Sequence, residues 1–368
     1  MTRHEPQKAW CMGEHRVAGL LNFVVVAGVA AVAYADWAIV ADVSVAYLYV
    51  LPIALCALVN PLSFTLGLGA ICTFLGDVFG PPAPSMYWRV VHNAVYLASF
   101  AVVGFLVTQI ARQRDSMAEA VRRQRDEYER DLALAAQVQH RVLPKPLSLP
   151  GIDIAAEMKT ARMLGGDYYD FFPVSDDVLD VVIADVSGKG AAAALLMPSL
   201  AVALRLRARE LQRPAEIIKD LDGVLKQITN SATFVTMFYA RLNRANRVLE
   251  YANAGHNPPV LLRSASCESR LLDEAGGPIL GILNDTQYSG ASLKLDAGDI
   301  LTLFTDGVTE QENEHGEEFS VDRLKEVICR EGADSATGVV AHVSEAVAAF
   351  AGETEQADDL TLVVLKVL

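Results

Sequence analysis

Four stretches of this chain each deliver an aspartate at the end of an apolar run or beside glycines. Asp185 ends the run Val181-Val182-Ile183-Ala184 and opens the turn Ser187-Gly188-Lys189-Gly190. Asp306 follows Leu301-Thr302-Leu303-Phe304-Thr305 and precedes Gly307. Asp358 and Asp359 directly precede the run 360–367, and Asp167 follows Gly165-Gly166. Aspartate before glycine is common in turns, where its carboxylate bonds the nearby backbone, so any one of these alone reads as a turn residue. Strand ends can nevertheless converge in a packed sheet, and carboxylates gathered without a cation repel one another and take up protons. Convergence therefore implies metal, and hard oxygen donors suit Mg²⁺ or Mn²⁺ rather than zinc or copper. Two such ions roughly 4 Å apart activate a water and clamp a phosphoryl group during in-line displacement. Topology alone does not name the reaction.

The elements that must position these residues follow Pro144-Lys145-Pro146. Strands are predicted over 152–158, 178–185, 234–242, 248–254, 259–262, 300–304 and 360–367. Helices are predicted over 191–212, 215–230, 321–330 and 337–350. Two long helices in the middle and two late ones, set among many strands, make this an α/β unit with a sheet core flanked by helices.

Five segments carry a family resemblance: Gly165-Gly166-Asp167-Tyr168-Tyr169-Asp170, Ala184-Asp185-Val186-Ser187-Gly188-Lys189-Gly190, Asn253-Ala254-Gly255-His256-Asn257-Pro258-Pro259, Phe304-Thr305-Asp306-Gly307-Val308-Thr309-Glu310 and Asp358-Asp359-Leu360-Thr361. In this order they resemble the motif set of the SpoIIE/RsbU-type branch of the PPM phosphatases, the magnesium- or manganese-dependent protein serine/threonine phosphatases. The likeness runs from about residue 133 to 368 and includes the approach Gln137 to Pro144. It implies a β-sandwich with helices on both outer faces (an α-β-β-α arrangement) and two ions at one end. By this resemblance Asp185 would bridge the ions and the Val186 carbonyl would bind one of them. Asp306 and Asp358 would complete the second site, Asp167 would act through a water on the metal, and Asp359 would support the site or add a ligand. The implied substrate is phosphoserine or phosphothreonine on a small anti-sigma-factor antagonist of the STAS type, within a partner-switching pathway. The arginine that grips phosphate in eukaryotic relatives has no obvious counterpart. His256 invites a role as general acid, but its setting beside Gly255 and Asn257-Pro258-Pro259 favours a structural hydrogen bond. Lys189 reads either as a phosphate attractor or as a solvated lysine.

Residues 111–143 change abruptly to Arg, Glu, Asp, Gln and Ala, uninterrupted by glycine or proline, and predict one long linker helix. Met117, Val121, Tyr128, Leu132, Ala135, Val138 and Val142 form a narrow apolar stripe. Either a solvated spacer or a parallel dimeric coiled coil, and hence a homodimer, fits that stripe. Before it lie four apolar runs, 17–35, 44–59, 62–79 and 90–110, the first and last of about the 20 residues that cross a bilayer. A signal peptide does not fit, because three more runs follow the first. Arg3, Lys8 and Arg16 precede the first run, and Arg112, Arg114, Arg122 and Arg123 follow the last. The first outer loop would carry Asp36 and Asp42 but no Lys or Arg. Four spans with both ends in the cytoplasm of a bacterium satisfy this asymmetry. The alternative, the two middle runs as one buried hairpin, keeps both ends on the same side. Asp77, His92 and Asn93 fall near span ends and read as interfacial. The expected organisation is therefore a tail over 1–16, a membrane region over 17–110, a linker over 111–143 and the phosphatase unit over 144–368.

A net charge of −14 without a basic stripe excludes nucleic acid as a natural partner. Cys11, Cys56, Cys72, Cys267 and Cys329 contain no CxxC pair, so neither a disulfide framework nor a zinc site fits. Two competing readings belong to other classes. A membrane receptor whose C-terminal unit only binds a regulator is opposed by the intact aspartates. A histidine kinase would need a glycine-rich ATP lid, and His140 stands alone on a helix surface.

Overall fold

Hydropathy dictates the first unit. In the computed structural model, which describes residues 6–38, 45–79, 85–188, 190–229, 233–266, 268–332 and 334–368, the apolar runs are all helical. They form α1 (Pro6–Ala38), a 3-10 turn (Ala46–Tyr49) running into α2 (Val50–Val59), α3 (Leu62–Phe79) and α4 (Met86–Val142). Expectations placed on Arg3, Asp42, Lys189 and Cys267 lie outside the described residues. Asn60, whose extended backbone is what the following proline demands, donates its side-chain amide to Asn22 at 2.8 Å and so ties the α2–α3 turn to α1. Tyr49, Ile53, Cys72 and Phe100 are buried against Val29, Val32 and Leu68, whereas Phe23, Leu51, Phe64, Phe74 and Phe105 point outward. Residues 18–38, α3 and α4 are long and apolar enough to cross a membrane; 46–59 is a shorter apolar helix. Asp77 pairs with Arg89 at 2.8 Å, a partnership the sequence reading did not foresee.

The chain divides into two compact units, Met1–Glu127 and Tyr128–Leu368. The second therefore takes in the last turns of α4, where a boundary at residue 144 was expected. Val142 is half-buried and packs against its core. Met117, Val121, Tyr128 and Val138 remain exposed.

The second unit contains β1 (Ile152–Lys159), β2 (Asp167–Pro173), β3 (Val178–Val186), α5 (Ala191–Glu210), α6 (Pro214–Ile228), β4 (Val235–Asn243), β5 (Val248–Ala254), β6 (Val260–Arg263), β7 (Glu268–Leu271), β8 (Gly290–Lys294), β9 (Ile300–Phe304), α7 (Asp306–Thr309), α8 (Ser320–Arg330), α9 (Ala336–Ala351) and β10 (Leu360–Val367). They build two antiparallel five-stranded sheets, ordered β1-β10-β9-β6-β7 and β2-β3-β4-β5-β8. One core lies between the sheets, around Val181, Ile183, Phe238, Leu303 and Val363. A second packs α5 and α6 on one outer face through Met197, Leu204, Ile218 and Leu221. A third packs α8 and α9 on the other through Leu324, Ile328, Val339 and Val343. The expected helix-flanked sandwich is the observed one. Central strands covered on both faces need no polar alternation, which is why β3, β4 and β10 were legible as apolar runs. The sequence reading omitted β2, β7 and β8. In β2 the acids Asp167 and Asp170 interrupt the apolar pattern although both are buried, and β8 is an edge strand of alternating exposure.

The outer face of β3 carries one buried charge, Asp180. Arg241 on β4 meets it with two bonds of 2.7 Å, and the Tyr239 hydroxyl also donates to it. The same guanidinium donates to the carbonyls of Ala208, Leu211 and Gln212, at 2.7–2.8 Å. Ala208 is in the last turn of α5, whose carbonyls lack helical partners, and Leu211 and Gln212 directly follow it, so this side chain ties the end of α5 to the sheet. Arg241→Ala leaves Asp180 buried without its cation and should cost about 3–5 kcal/mol. The expected readout is a lower unfolding temperature of the full chain, with much of the loss recovered when Asp180 is replaced by leucine in the same variant.

Candidate catalytic site

Register brings the aspartates to one end of the sandwich. Asp167, the first residue of β2, is the direct partner of Asp185 near the end of β3, and Thr236 of β4 is paired on the other side of Asp185. Asp306 begins α7 immediately after β9, and Asp358-Asp359 immediately precede β10, the neighbour of β9. A small cleft of about 100 Å³ opens there, lined by Gly166, Asp185, Val186, Asp358, Asp359 and Arg162 among others.

Each carboxylate has a different environment. Asp167 is 2% exposed, and its Oδ2 accepts from the hydroxyls of Thr305 at 2.8 Å and Thr361 at 2.5 Å. Thr361 is on β10 and Thr305 directly follows β9, both of the opposite sheet, so this carboxylate joins the two sheets beneath the cleft. Burial pushes the Asp167 carboxyl well above the usual carboxylate range. The Thr361 and Thr305 hydroxyls oppose that shift, while the charges of Asp185 and Asp359 add to it. Asp359 is also buried, but its oxygens accept from the backbone N–H groups of Ala161 at 2.8 Å and Gly166 at 2.6 Å. It thereby holds the loop that precedes β2. Asp185 is half-buried and Asp358 exposed, both on the wall of the cleft.

Asp306 is half-buried and is not among the residues lining that cleft. Its position is nevertheless fixed: a Cβ on Gly307 would collide with the Asp359 carbonyl, so glycine alone lets α7 press onto the start of β10. Asp306 and Asp358 both act on Glu310, whose carboxyl is raised first by burial and then by Asp306, Glu318 and Asp358. Among the described residues, the group whose potential ligand atoms all lie within 4.8 Å of one another is Glu331, Asp334 and His342, outside this site. The five aspartates share an end of the sandwich without forming such a closed knot.

Gly166 is a second required glycine. A Cβ there would sit 2.7 Å from the Val186 carbonyl oxygen and 3.3 Å from Asp185 Oδ1, filling the space in front of both. Its neighbour Gly165 is held by Gln139 near the end of α4, which donates to the Gly165 carbonyl at 2.6 Å and accepts from its N–H at 3.3 Å. Gln139, Thr305, Thr361 and Arg162 were not singled out from sequence. The threonines stand inside motifs already noted, and Gln139 is a buried polar residue off the apolar stripe. Arg162 lies five residues before Asp167 on an exposed loop, where nothing in composition marks it. The structure places it on the rim of the aspartate cleft.

His256 is 6% exposed. Its Nδ1 lies 2.8 Å from the Thr236 hydroxyl, and its backbone N–H and C=O both bond the Asn253 side chain. Burial lowers its pKa to about 4, against a small opposing effect from the Phe304 backbone. It is neutral at neutral pH and held in the connection between β5 and β6 by these hydrogen bonds.

This architecture has known counterparts. The profile of the Stage II sporulation protein E (SpoIIE) family matches residues 175–368. The phosphoserine phosphatase RsbU of Bacillus subtilis is 33% identical over 242 residues, covering 65% of this chain and 71% of RsbU. Among solved structures, the SiaA-PP2C domain of Pseudomonas aeruginosa superposes with a TM-score of 0.57 at 21% identity, covering 66% of this chain and 98% of that one. The RsbU and RsbW domains of Rv1364c from Mycobacterium tuberculosis give a TM-score of 0.52 at 28% identity, covering 61% of each chain. The chain belongs to the SpoIIE family and is a PPM-type protein serine/threonine phosphatase.

Proposed function

We propose that this phosphatase hydrolyses phosphoserine or phosphothreonine on a cytoplasmic regulatory protein, a phosphorylated anti-sigma-factor antagonist of the STAS type, while anchored in a bacterial inner membrane. The observation that carries the reading is the set of aspartates at one end of the sandwich, opening on a cleft that also holds an arginine. The donor set fits two Mg²⁺ or Mn²⁺ ions. Asp185, Asp306 and Asp358 offer carboxylates, Val186 offers a carbonyl, and all of these are hard oxygens. The missing side chain of Gly166 leaves the Val186 and Asp185 oxygens uncovered. When bound, such ions polarise a water and offset the charge of the phosphoryl group.

The chain's own residues do the rest. Arg162, exposed on the rim, is placed to pair with phosphate oxygens, a task suited to the planar guanidinium fork. Asp167, oriented by two hydroxyls beneath the cleft, would hold a water bound there. Asp359, with both oxygens bonded to backbone N–H groups, supports the loop more than it offers a ligand. His256 is not needed as an acid, being neutral and embedded.

For the first unit, outward-facing apolar side chains on a helical bundle suit lipid, and the basic residues flanking it support an orientation with both ends in the cytoplasm. The second, shorter apolar helix makes a fourth crossing if the bilayer thins locally. The exposed stripe Met117, Val121, Tyr128 and Val138 on α4 supports a parallel homodimer. The phosphoserine phosphatase RsbU supplies the analogy for substrate class.

Three measurements test this reading. The Asp185→Ala protein, folded by circular dichroism, should release phosphate from a phosphoserine protein in Mn²⁺ at background rate; full activity would refute the scheme. Arg162→Ala should raise KM about 10-fold, as expected for a lost charge-assisted hydrogen bond, with a smaller effect on kcat. Gln139→Ala, which leaves the buried Gly165 amide and carbonyl unpaired, should lower kcat with little change in KM, and Gln139→Glu should recover less than half of that loss.

A further inference from the structure

None of the residues that line the aspartate cleft belongs to a second group of ligand-type side chains, at the junction of α8 and α9. Glu331 follows the last residue of α8, Asp334 lies in the connecting loop, and His342 stands on α9. His342 Nδ1 is 3.2 Å from Asp334 Oδ2 and 3.7 Å from Glu331 Oε2, and the three ligand atoms all lie within 4.8 Å of one another. An ion bound at roughly 2.0–2.2 Å by nitrogen and oxygen ligands sets neighbouring ligand atoms about 3–3.5 Å apart. The observed separations are close to that. His342 Nδ1 is shielded from solvent yet makes no hydrogen bond of acceptable geometry, although two carboxylates face it.

The frame around this group is fixed independently of any ion. Lys366 on β10 donates to the backbone carbonyls of Asp334 at 2.6 Å and Gly332 at 3.1 Å, and the Asp334 N–H donates to the Glu331 carbonyl at 3.0 Å. Ser335 caps α9 through the Gly338 N–H at 3.1 Å. Arg330 engages Glu331 Oε1 at 2.7 Å, leaving Oε2 directed at His342. The three side chains are 24–46% exposed, so water can complete a coordination shell.

We propose that Glu331, Asp334 and His342 form a binding site for a first-row transition ion of the Zn²⁺ class, separate from the catalytic pair, which clamps α8 to α9. One imidazole and two carboxylates suit such an ion, whereas Mg²⁺ prefers an all-oxygen shell. The competing arrangement is a protonated His342 paired with the two acids and no ion.

The two are separated by titrating the detergent-solubilised full chain with Zn²⁺ in excess Mg²⁺, using calorimetry for uptake and thermal unfolding for stability. The expected result is one saturable Zn²⁺ site with a raised unfolding temperature in the natural protein and in Asp185→Asn. Both effects should vanish in His342→Ala and in Asp334→Asn. The second variant keeps the backbone contacts to Lys366 and decides the matter if the first fails to fold. No saturable uptake by the natural protein, uptake undiminished in Asp334→Asn, or uptake lost in Asp185→Asn would each overturn the proposal.

Discussion

The architecture of the catalytic end depends on a single buried carboxylate bridging two sheets. Asp167 leaves β2, crosses the gap between the layers and accepts from Thr305 and Thr361 on the other side. A buried acid without such donors would lose its hydration with no return. With them, it fixes how far apart the ends of β3, β9 and β10 stand, and hence how Asp185, Asp306 and Asp358 are spaced. The Thr361 N–H donates in turn to the Thr305 hydroxyl at 3.0 Å, so the donors are themselves oriented.

Around it the chain spends its glycines where backbone must approach backbone or carboxylate. Gly307 lets α7 lie against Asp359, and Gly166 keeps the Val186 carbonyl uncovered. Asp359 fastens the Ala161 to Gly166 loop, and Gln139 fastens Gly165 from the last turns of α4. Within the second unit, Gln139 is thus in direct hydrogen-bond contact with the residue next to Gly166. Farther out, Arg241 performs the equivalent task for α5, joining helix carbonyls and a buried Asp180.

The sequence made some of this legible for definite reasons. Strands β3, β4, β9 and β10 are buried on both faces, so they stand out as apolar runs, and the aspartates that end β3 or precede β10 were visible by contrast. The glycines beside Asp167 and Asp306, legible only as turn signals, are close approaches in the fold. What remained hidden depends on partners distant along the chain. β2 looks too polar to be a strand until Thr305, Thr361 and Arg205 are seen to satisfy its acids. Arg162 has no pattern of its own and gains meaning only where the loop folds beside Asp185 and Asp358. Val142 was assigned to a helical stripe by its spacing, yet it also packs, half-buried, against the phosphatase core. Local periodicity identifies elements; it does not tell which neighbour will satisfy a buried polar group.

The central claim is that acids from separate strands hold a pair of divalent cations at this end of the sandwich. Anomalous X-ray diffraction from crystals of the full chain grown with Mn²⁺ tests it most directly. The account predicts two manganese peaks roughly 4 Å apart, in contact with the carboxylates of Asp185, Asp306 and Asp358 and with the Val186 carbonyl. Crystals of active protein with no anomalous density between those residues would contradict it.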